Sequence, residues 1–284
     1  MGAMRFGFLL RRNKPEAVDT ARELSAILTA DGHSVCVGDD AMSGWNGVTI
    51  VPRAELGASI DVLVVLGGDG TFLDGAQLVA DHGVPLIGIN LGSLGFMTQF
   101  ALSEAHEALR AVVSGKLPVA ERMRMRVAHV SRGVELASQN ALNDAAVTQG
   151  KQARLLDLTT EVDGERISAI KADGLVIATP TGSTAYSLAA GGPVVTPGME
   201  ALVMTPICPH ALTYRSVVLP AAGVIRITNT SEHQGLLTVD GHWTRDLSPG
   251  DQVEIRRADK ALRIFAGPRP FFTVLREKLR WAER

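Results

Sequence analysis

The sequence predicts two folds in series, an N-terminal parallel α/β domain of Rossmann-like layout and a C-terminal all-β, sandwich-like domain. Three observations carry this. From Met4 to about Ala120, short β-type runs alternate with helical patterns, the rhythm of a parallel sheet with helices on its faces. From about Glu121 the apolar period becomes two, and many short strands follow with turn signals between them. The last stretch, Pro270–Arg284, returns to helical spacing at Phe272, Leu275, Leu279 and Trp281, and is expected to pack back onto the first domain. The expected domains are therefore residues 4–120, with 266–284 returning to them, and 121–265.

Each element has its own signal. Arg5–Leu10 (RFGFLL) is a first strand; the helix after it has Pro15 near its first turn, an apolar face of Val18, Ala21, Leu24 and Leu28, and a stop at Asp31-Gly32. His33–Val37 and Val62–Leu66 read as strands, Thr71 to about His82 as a helix, Pro85–Ile89 as a strand and Ser103–Ser114 as a helix. Between them Gly38–Ser59, rich in Gly and polar residues, reads as a flexible loop. In the second half Met123, Met125 and Val127 alternate with Arg122, Arg124 and Arg126, while Asp163-Gly164 and Asp240-Gly241 are hairpin signals between strand-like runs.

Composition narrows function by exclusion. The chain has 284 residues, 46% of them hydrophobic, and 28 Lys+Arg against 30 Asp+Glu leave a formal charge of -2. That balance supplies no electrostatic reason for nucleic acid or an anionic membrane as partner. The N-terminal FGFLL is too short for a signal sequence and no run approaches the ~20 apolar residues that span a bilayer, so a cytoplasmic protein is expected. Met1-Gly2-Ala3-Met4 resembles a cloning scar, with the native start expected near Met4. Cys36 and Cys208 lack partners at metal-ligand spacing, and both are expected to be buried small hydrophobes.

Three stretches carry candidate chemistry. Gly67-Gly68-Asp69-Gly70-Thr71 follows a buried parallel strand, and the carboxyl ends of such strands are where open α/β sheets place ligands. Its glycines and the helix start behind them suit phosphate oxygens. Yet Leu73 stands where a dinucleotide fingerprint needs glycine, and no Gly-Lys-Ser/Thr is present. A carboxylate in the loop would repel pyrophosphate unless a metal or a reacting hydroxyl lies between, which points to phosphoryl chemistry; the alternative is a plain turn with Asp69 as helix cap. Second, Ala172–Val195 sets Thr179, Thr181, Ser183, Thr184 and Ser187 among glycines beside Tyr186, a set suited to ribose hydroxyls, amides and a flat ring, or simply a solvated loop. Third, Asn143-Asp144 is a polar pair inside an apolar run, either a hairpin turn or a pocket lining in which Asp144 accepts from a vicinal diol.

With GINLGSLGF at Gly88–Phe96 and TPICPHAL at Thr205–Leu212, these motifs resemble the NAD kinases over roughly Val62–Pro220, and Asp240 extends the match. Diacylglycerol and sphingosine kinases share a GGDGT-like motif and 6-phosphofructokinases a related one; Asn143-Asp144 and Thr181–Ala189 separate this chain from them. The resemblance implies transfer of the γ-phosphoryl of ATP, carried as a Mg²⁺ or Mn²⁺ complex, or of polyphosphate, to the 2′-hydroxyl of the adenosine ribose of NAD. It implies that Gly67, Gly68, Asp69, Gly70 and Thr71 form the reacting loop, with Asp69 as general base or orienting group. Asn143, Asp144, Asp173, Thr184, Ala185, Tyr186, Ser187, Leu188, Ala189 and Asp240 would hold NAD, with Thr181 and Phe96 nearby. Arg154 and Lys171 match positions where basic residues assist the dinucleotide or its phosphates, or else are surface salt bridges. Asp240-Gly241-His242 departs from the family's Asp-x-Gln, which leaves a ligand contact by His242 open against a hairpin role; His210 reads as structural. A homodimer or homotetramer is implied in the same way.

Overall fold

The computed structural model describes residues 2–11, 15–40, 45–92, 95–150 and 154–280. In chain order the elements begin with β1 (Arg5–Leu10), α1 (Pro15–Ala30), β2 (Ser34–Gly38), β3 (Thr49–Val51), α2 (Leu56–Ser59), β4 (Val62–Leu66), α3 (Asp69–Val79) and β5 (Leu86–Asn90). They continue with β6 (Phe100–Ala101), α4 (Ala105–Val113), β7 (Val119–Arg122), β8 (Met125–Ser131), β9 (Val134–Ala141), β10 (Asp144–Gln149), β11 (Leu156–Val162) and β12 (Glu165–Ala172). Then come β13 (Gly174–Ala178), α5 (Tyr186–Ala189), β14 (Ala201–Ile207), β15 (Val217–Pro220), β16 (Ile225–Asn229), β17 (Gly235–Val239), β18 (Trp243–Leu247), β19 (Gln252–Arg257), β20 (Leu262–Phe265) and α6 (Phe271–Leu279).

The chain divides into two units, Met1–Glu121 with Leu262–Arg284, and Arg122–Ala261. In the first, the sheet order is β3-β2-β1-β4-β5-β20-β7, with β6 beside β5. β4 pairs in parallel with β1 and β5, and all five of its residues are buried. A strand covered on both faces has no use for alternation, which is why VLVVL is apolar throughout. Helix α1 buries Val18, Ala21, Leu24 and Leu28, the stripe its sequence periodicity marks. The returning tail joins this unit: β20 pairs in parallel with β5, and Arg269 bonds Glu104 and the Gln99 carbonyl.

Two expectations for this unit need correction. Gly38–Ser59 is not an unstructured loop, because Thr49-Ile50-Val51 adds a parallel edge strand on β2 and Trp45 packs edge-on against Phe8; residues 41–44 lie outside the described residues. β-branched residues in a short run sufficed where the surrounding Gly and polar residues masked the signal. In α6 the buried residues are Val274 and Leu275, whereas Phe272 is 60% exposed and Trp281 falls outside the described residues.

The second unit stacks two antiparallel six-stranded sheets, β15-β14-β13-β10-β17-β18 and β12-β11-β16-β19-β8-β9, around one core that includes Met125, Val127, Ala145, Val147, Leu158, Ile177 and Val253. The hairpins at Asp163-Gly164 and Asp240-Gly241 have positive φ at both turn residues (51° and 83°, 48° and 75°), the geometry that matches the twist of paired strands. Arg132-Gly133 makes a third hairpin of this kind, between β8 and β9. Arg124 is only 2% exposed: it precedes β8, and its Nε donates to the Lys260 carbonyl. Cys36 is buried as expected, but Cys208 is exposed: β14 ends at Ile207, so Cys208 falls in the loop beyond the strand and not in the sheet.

Candidate active site

In the first unit the chemistry gathers where β4 ends. Gly67 N–H donates to the Ile89 carbonyl, and α3 then starts, with Phe72 N–H donating to the Gly68 carbonyl. The cap is Gly68, in extended conformation and without a side-chain bond, so Asp69 is the first helical residue and not the cap. Its carboxylate is engaged elsewhere. Oδ2 accepts from Phe96 N–H at 3.0 Å; Oδ1 accepts from Met97 N–H at 3.2 Å, Thr98 N–H at 3.1 Å and the Thr98 hydroxyl at 3.1 Å. A rigid carboxylate at a helix start is electrostatically favoured there, and the cradle sets its orientation.

The glycines of this region divide by function. A β-carbon on Gly95 would lie 2.0 Å from Asp69 Oδ1, so the cradle can close only around a residue without a side chain. At Gly67 it would lie 2.5 Å from Thr71 Oγ1. At Gly68 and Gly70 it would meet no described atom within 4 Å, and neither residue has positive φ. The fold therefore does not itself demand glycine at those two positions, and their open backbone leaves room for a ligand to approach.

In the second unit the Asn143-Asp144 pair is neither a hairpin nor a strand interior. β9 belongs to one sheet and β10 to the other, so Leu142-Asn143 is the corner at which the chain changes sheets. Corners leave backbone donors unpaired by the ladders, and Asp240 supplies the acceptors: its carboxylate takes Leu142 N–H at 2.8 Å, Asn143 N–H at 2.7 Å and Asp144 N–H at 3.1 Å. Asp240 is thus a support beneath the pair. Thr179 ties the loop after β13 to the same corner, with its N–H on the Asn143 carbonyl and its hydroxyl on the Leu142 carbonyl. Gly182 completes the contact, since a β-carbon there would come 2.1 Å from the Asn143 carbonyl oxygen.

Two buried polar atoms at this corner lack a hydrogen-bond partner among the described residues, Asn143 Oδ1 and Thr181 Oγ1. Leaving such an atom unmade costs about 1–3 kcal/mol, a cost that a ligand bonding to it would relieve. Asp144 is 7% exposed, and its carboxyl is pushed up to about 7, first by burial and then by the negative charge of Asp240, against the Tyr186 N–H. Burial likewise raises Asp240, opposed by the three N–H groups it accepts and by His242. The Tyr186 hydroxyl is raised by burial first and then by the nearby Asp144, Cys208 and Asp173, while the residue as a whole remains 42% exposed.

The remaining residues of the anticipated set are distributed as follows. Asp173 accepts from Gln149 Nε2, and Thr184 Oγ1 donates to the Thr181 carbonyl. Ser187 is buried with its hydroxyl on Thr205 at 2.9 Å, a packing bond inside the loop; Ala185 and Leu188 are half-buried and Ala189 is exposed. Lys171 is exposed, with Nζ 3.6 Å from Asp157 Oδ2, and Arg154 is exposed. His242 Nδ1 lies 2.9 Å from its neighbour Asp240's carbonyl, and the exposed His210 donates its N–H to the Lys171 carbonyl. The sequence reading passed over Asn90, Thr98 and Gln149 as site residues. Asn90 and Thr98, polar residues in an apolar setting, carried the same signal that singled out Asn143.

Among the described residues no group of three or more His, Cys, Asp or Glu could hold a metal ion, and no helix is long and apolar enough to cross a membrane.

Comparison with known proteins gives matches along nearly the whole chain. The ATP-NAD kinase N-terminal domain family matches residues 6–117, and the ATP-NAD kinase C-terminal domain family matches residues 142–266. The NAD kinase of Geotalea daltonii is 42% identical over 272 residues, 95% of this chain and 96% of the relative. The NAD kinase of Geobacter sulfurreducens is 41% identical with the same coverage. Among solved structures, yeast NADH kinase complexed with NADH matches with a TM-score of 0.92 and 28% identity, covering 100% of this chain and 89% of that one. An NAD kinase from Archaeoglobus fulgidus in complex with ATP matches with a TM-score of 0.77 and 26% identity, covering 98% and 99%.

Proposed function

The chain belongs to the NAD kinase family and phosphorylates NAD with ATP, and from that premise we propose how its residues divide the work. The acceptor is the 2′-hydroxyl of the adenosine ribose. Its oxygen attacks the γ-phosphorus in line, the bond from that phosphorus to the β,γ-bridging oxygen breaks, ADP departs, and the hydroxyl proton is lost toward Asp69. Such a transfer needs positioning and charge stabilisation more than covalent help. The observation that carries the assignment is the Asp69 carboxylate, held in one orientation by three backbone N–H groups and a hydroxyl.

Backbone amides of Gly68, Gly70 and Thr71 face the phosphates at the start of α3, while Gly67, whose N–H is held by the Ile89 carbonyl, anchors the loop to the sheet. Phe96 takes part through its backbone, which helps fix Asp69. Asn143 and Asp144 hold NAD by hydrogen bonds, Asn143 Oδ1 and Thr181 Oγ1 gaining the partners they lack, and Tyr186 offers its exposed ring to a base. Asp173 and the loop Thr184, Ala185, Ser187, Leu188 and Ala189 complete the dinucleotide cradle. Arg154 and Lys171 assist the phosphates; Lys171 would leave Asp157 to do so, at little cost, since exposed ion pairs are worth about 0–1 kcal/mol. The divalent ion, Mg²⁺ or Mn²⁺, enters as the ATP complex and is part of the substrate.

A homodimer or homotetramer in the cytoplasm belongs to the same proposal. The unpaired thiols of Cys36 and Cys208 suit that compartment, and Val134 and Leu136, exposed on the edge strand β9, suit burial against another copy. The direct test of the reaction is to incubate the purified protein with NAD, ATP and Mg²⁺ and to identify the product. NADP phosphorylated at the 2′ position is expected, and product phosphorylated at the 3′ position would overturn the assignment of the acceptor.

Asp144 makes the site sensitive to pH. The ionised carboxylate accepts from both hydroxyls of a diol through stronger, charge-assisted bonds, whereas the protonated group turns one oxygen into a donor, so NAD affinity is expected to rise as pH passes upward through about 7. Stability runs the other way. The unfolded carboxyl loses its proton near pH 4 and the folded one near 7, so over that window the native state binds more protons and this group's contribution falls as pH rises. Asp144→Asn removes the titration. Its Tm is expected to match the parent's near pH 4 and to exceed it increasingly up to pH 8, with a higher KM for NAD; a Tm difference independent of pH would contradict the shifted carboxyl.

A further inference from the structure

We infer that Thr98 is a positioning residue for phosphoryl transfer, acting through its hydroxyl to leave one defined oxygen of Asp69, Oδ2, for the acceptor hydroxyl. The inference rests on the reading of Asp69 as the group that faces the reacting ribose, and it goes beyond that reading by assigning the atom and the residue that selects it. A carboxylate has about four lone-pair positions, two on each oxygen. Oδ1 of Asp69 takes three donors, Met97 N–H, Thr98 N–H and the Thr98 hydroxyl, whereas among the described residues Oδ2 takes only Phe96 N–H at 3.0 Å. Oδ1 is saturated. Oδ2 keeps an acceptor position for an incoming O–H.

The direction of the Thr98 proton is set by the group behind it. Asn90, at the end of β5 and buried, donates from Nδ2 to Thr98 Oγ1 at 2.7 Å, and its own Oδ1 is held by Gly92 N–H at 2.7 Å. Because Oγ1 accepts from Asn90, its hydrogen is left to point at Asp69 Oδ1. Thr98 is 0% exposed, so solvent does not compete for that bond. The result is a directed line from the end of β5 to the carboxylate, Asn90 to Thr98 to Asp69, all within one unit. Backbone N–H groups fix where the carboxylate sits, and the hydroxyl adds the fourth contact that fixes its rotation about the side-chain axis. Transfer geometry is steep in such errors, a misplacement of about 1 Å costing on the order of 10²-fold.

The test compares Thr98→Ser with Thr98→Ala in the full-length protein, the two differing from each other only in the hydroxyl. Steady-state rates are measured with NAD and MgATP, together with Tm. Thr98→Ser is expected to keep kcat within about threefold of the parent, and Thr98→Ala to lose about tenfold in kcat with the KM for NAD within about twofold. Thr98→Val, closer to threonine in shape, should behave as the alanine variant does. Equal kcat for the serine and alanine variants would overturn the inference, as would a loss confined to KM or one that disappears when rates are compared at equal distance below each Tm. A parent that makes NADP and an Asp69→Asn variant that does not would, beside that result, show that the reading of the reaction stands and only the role of Thr98 falls.

Discussion

Asp69→Asn is expected to lower kcat by about 10²- to 10⁴-fold while leaving NAD binding within a few-fold of the parent. The range is that of a lost general base or orienting carboxylate, and the structure indicates why a neutral isostere cannot stand in. An asparagine in the same cradle has one acceptor oxygen and one amide nitrogen. With its oxygen facing the three donors around Oδ1, its NH₂ meets the Phe96 N–H donor against donor, and toward the incoming hydroxyl it can only donate, so nothing accepts the hydroxyl's proton. The negative charge that would take up the ribose proton is gone as well. NAD binding should survive, because the groups assigned to it in the second unit are untouched. Kinetics with NAD and MgATP and a separate measurement of NAD affinity by calorimetry check both halves. Turnover near the parent's would remove Asp69 from the reaction.

The second large effect is structural. Asp240→Ala is expected to destabilise the protein by about 3 kcal/mol or more, read as a fall in the urea midpoint, since it strips three backbone N–H groups at the Leu142–Asp144 corner of their acceptor. Each buried donor left unpaired costs about 1–3 kcal/mol, partly offset by relief from burying a carboxylate beside Asp144. The φ of 48° at Asp240 adds to the loss, because aspartate and asparagine tolerate that left-handed conformation better than alanine. Asp240→Asn, which keeps one acceptor oxygen and the tolerance for positive φ, should lose roughly half as much. NAD KM should rise in both, because Asn143 and Asp144 ride on the corner. A midpoint for Asp240→Ala equal to the parent's would mean that the three donors find other acceptors.

These two aspartates show what kind of information a linear reading can reach. Asp69 was found because it interrupts a run of glycines after a strand of five apolar residues, a local anomaly. Its use as a cap was excluded only by the structure, where the cap is Gly68 and the carboxylate turns to residues 27–29 positions away. Asp240 was taken as a ligand-holding residue, and the structure shows its carboxylate bonded to three N–H groups 96–98 positions distant. Ser187 has a comparable history: its place in a hydroxyl-rich run made it a candidate, while its hydroxyl is spent on Thr205. Gln149 was passed over because nothing in its immediate neighbours announces a partner on another strand.

By itself the sequence determined the two-part architecture, the buried parallel strand that ends at Gly67, and the hairpins at Asp163-Gly164 and Asp240-Gly241. Side-chain period and the φ preferences of turn residues are properties of a few consecutive residues, so they are written locally. Tertiary structure alone decided that Leu142-Asn143 is a corner between two sheets, that Gly95 must be bare so that Asp69 can be cradled, and that Cys208 is exposed. Those outcomes depend on which distant donors and acceptors the chain crossings bring within about 3 Å, and hydrogen bonds between remote segments leave no periodic trace in the order of residues.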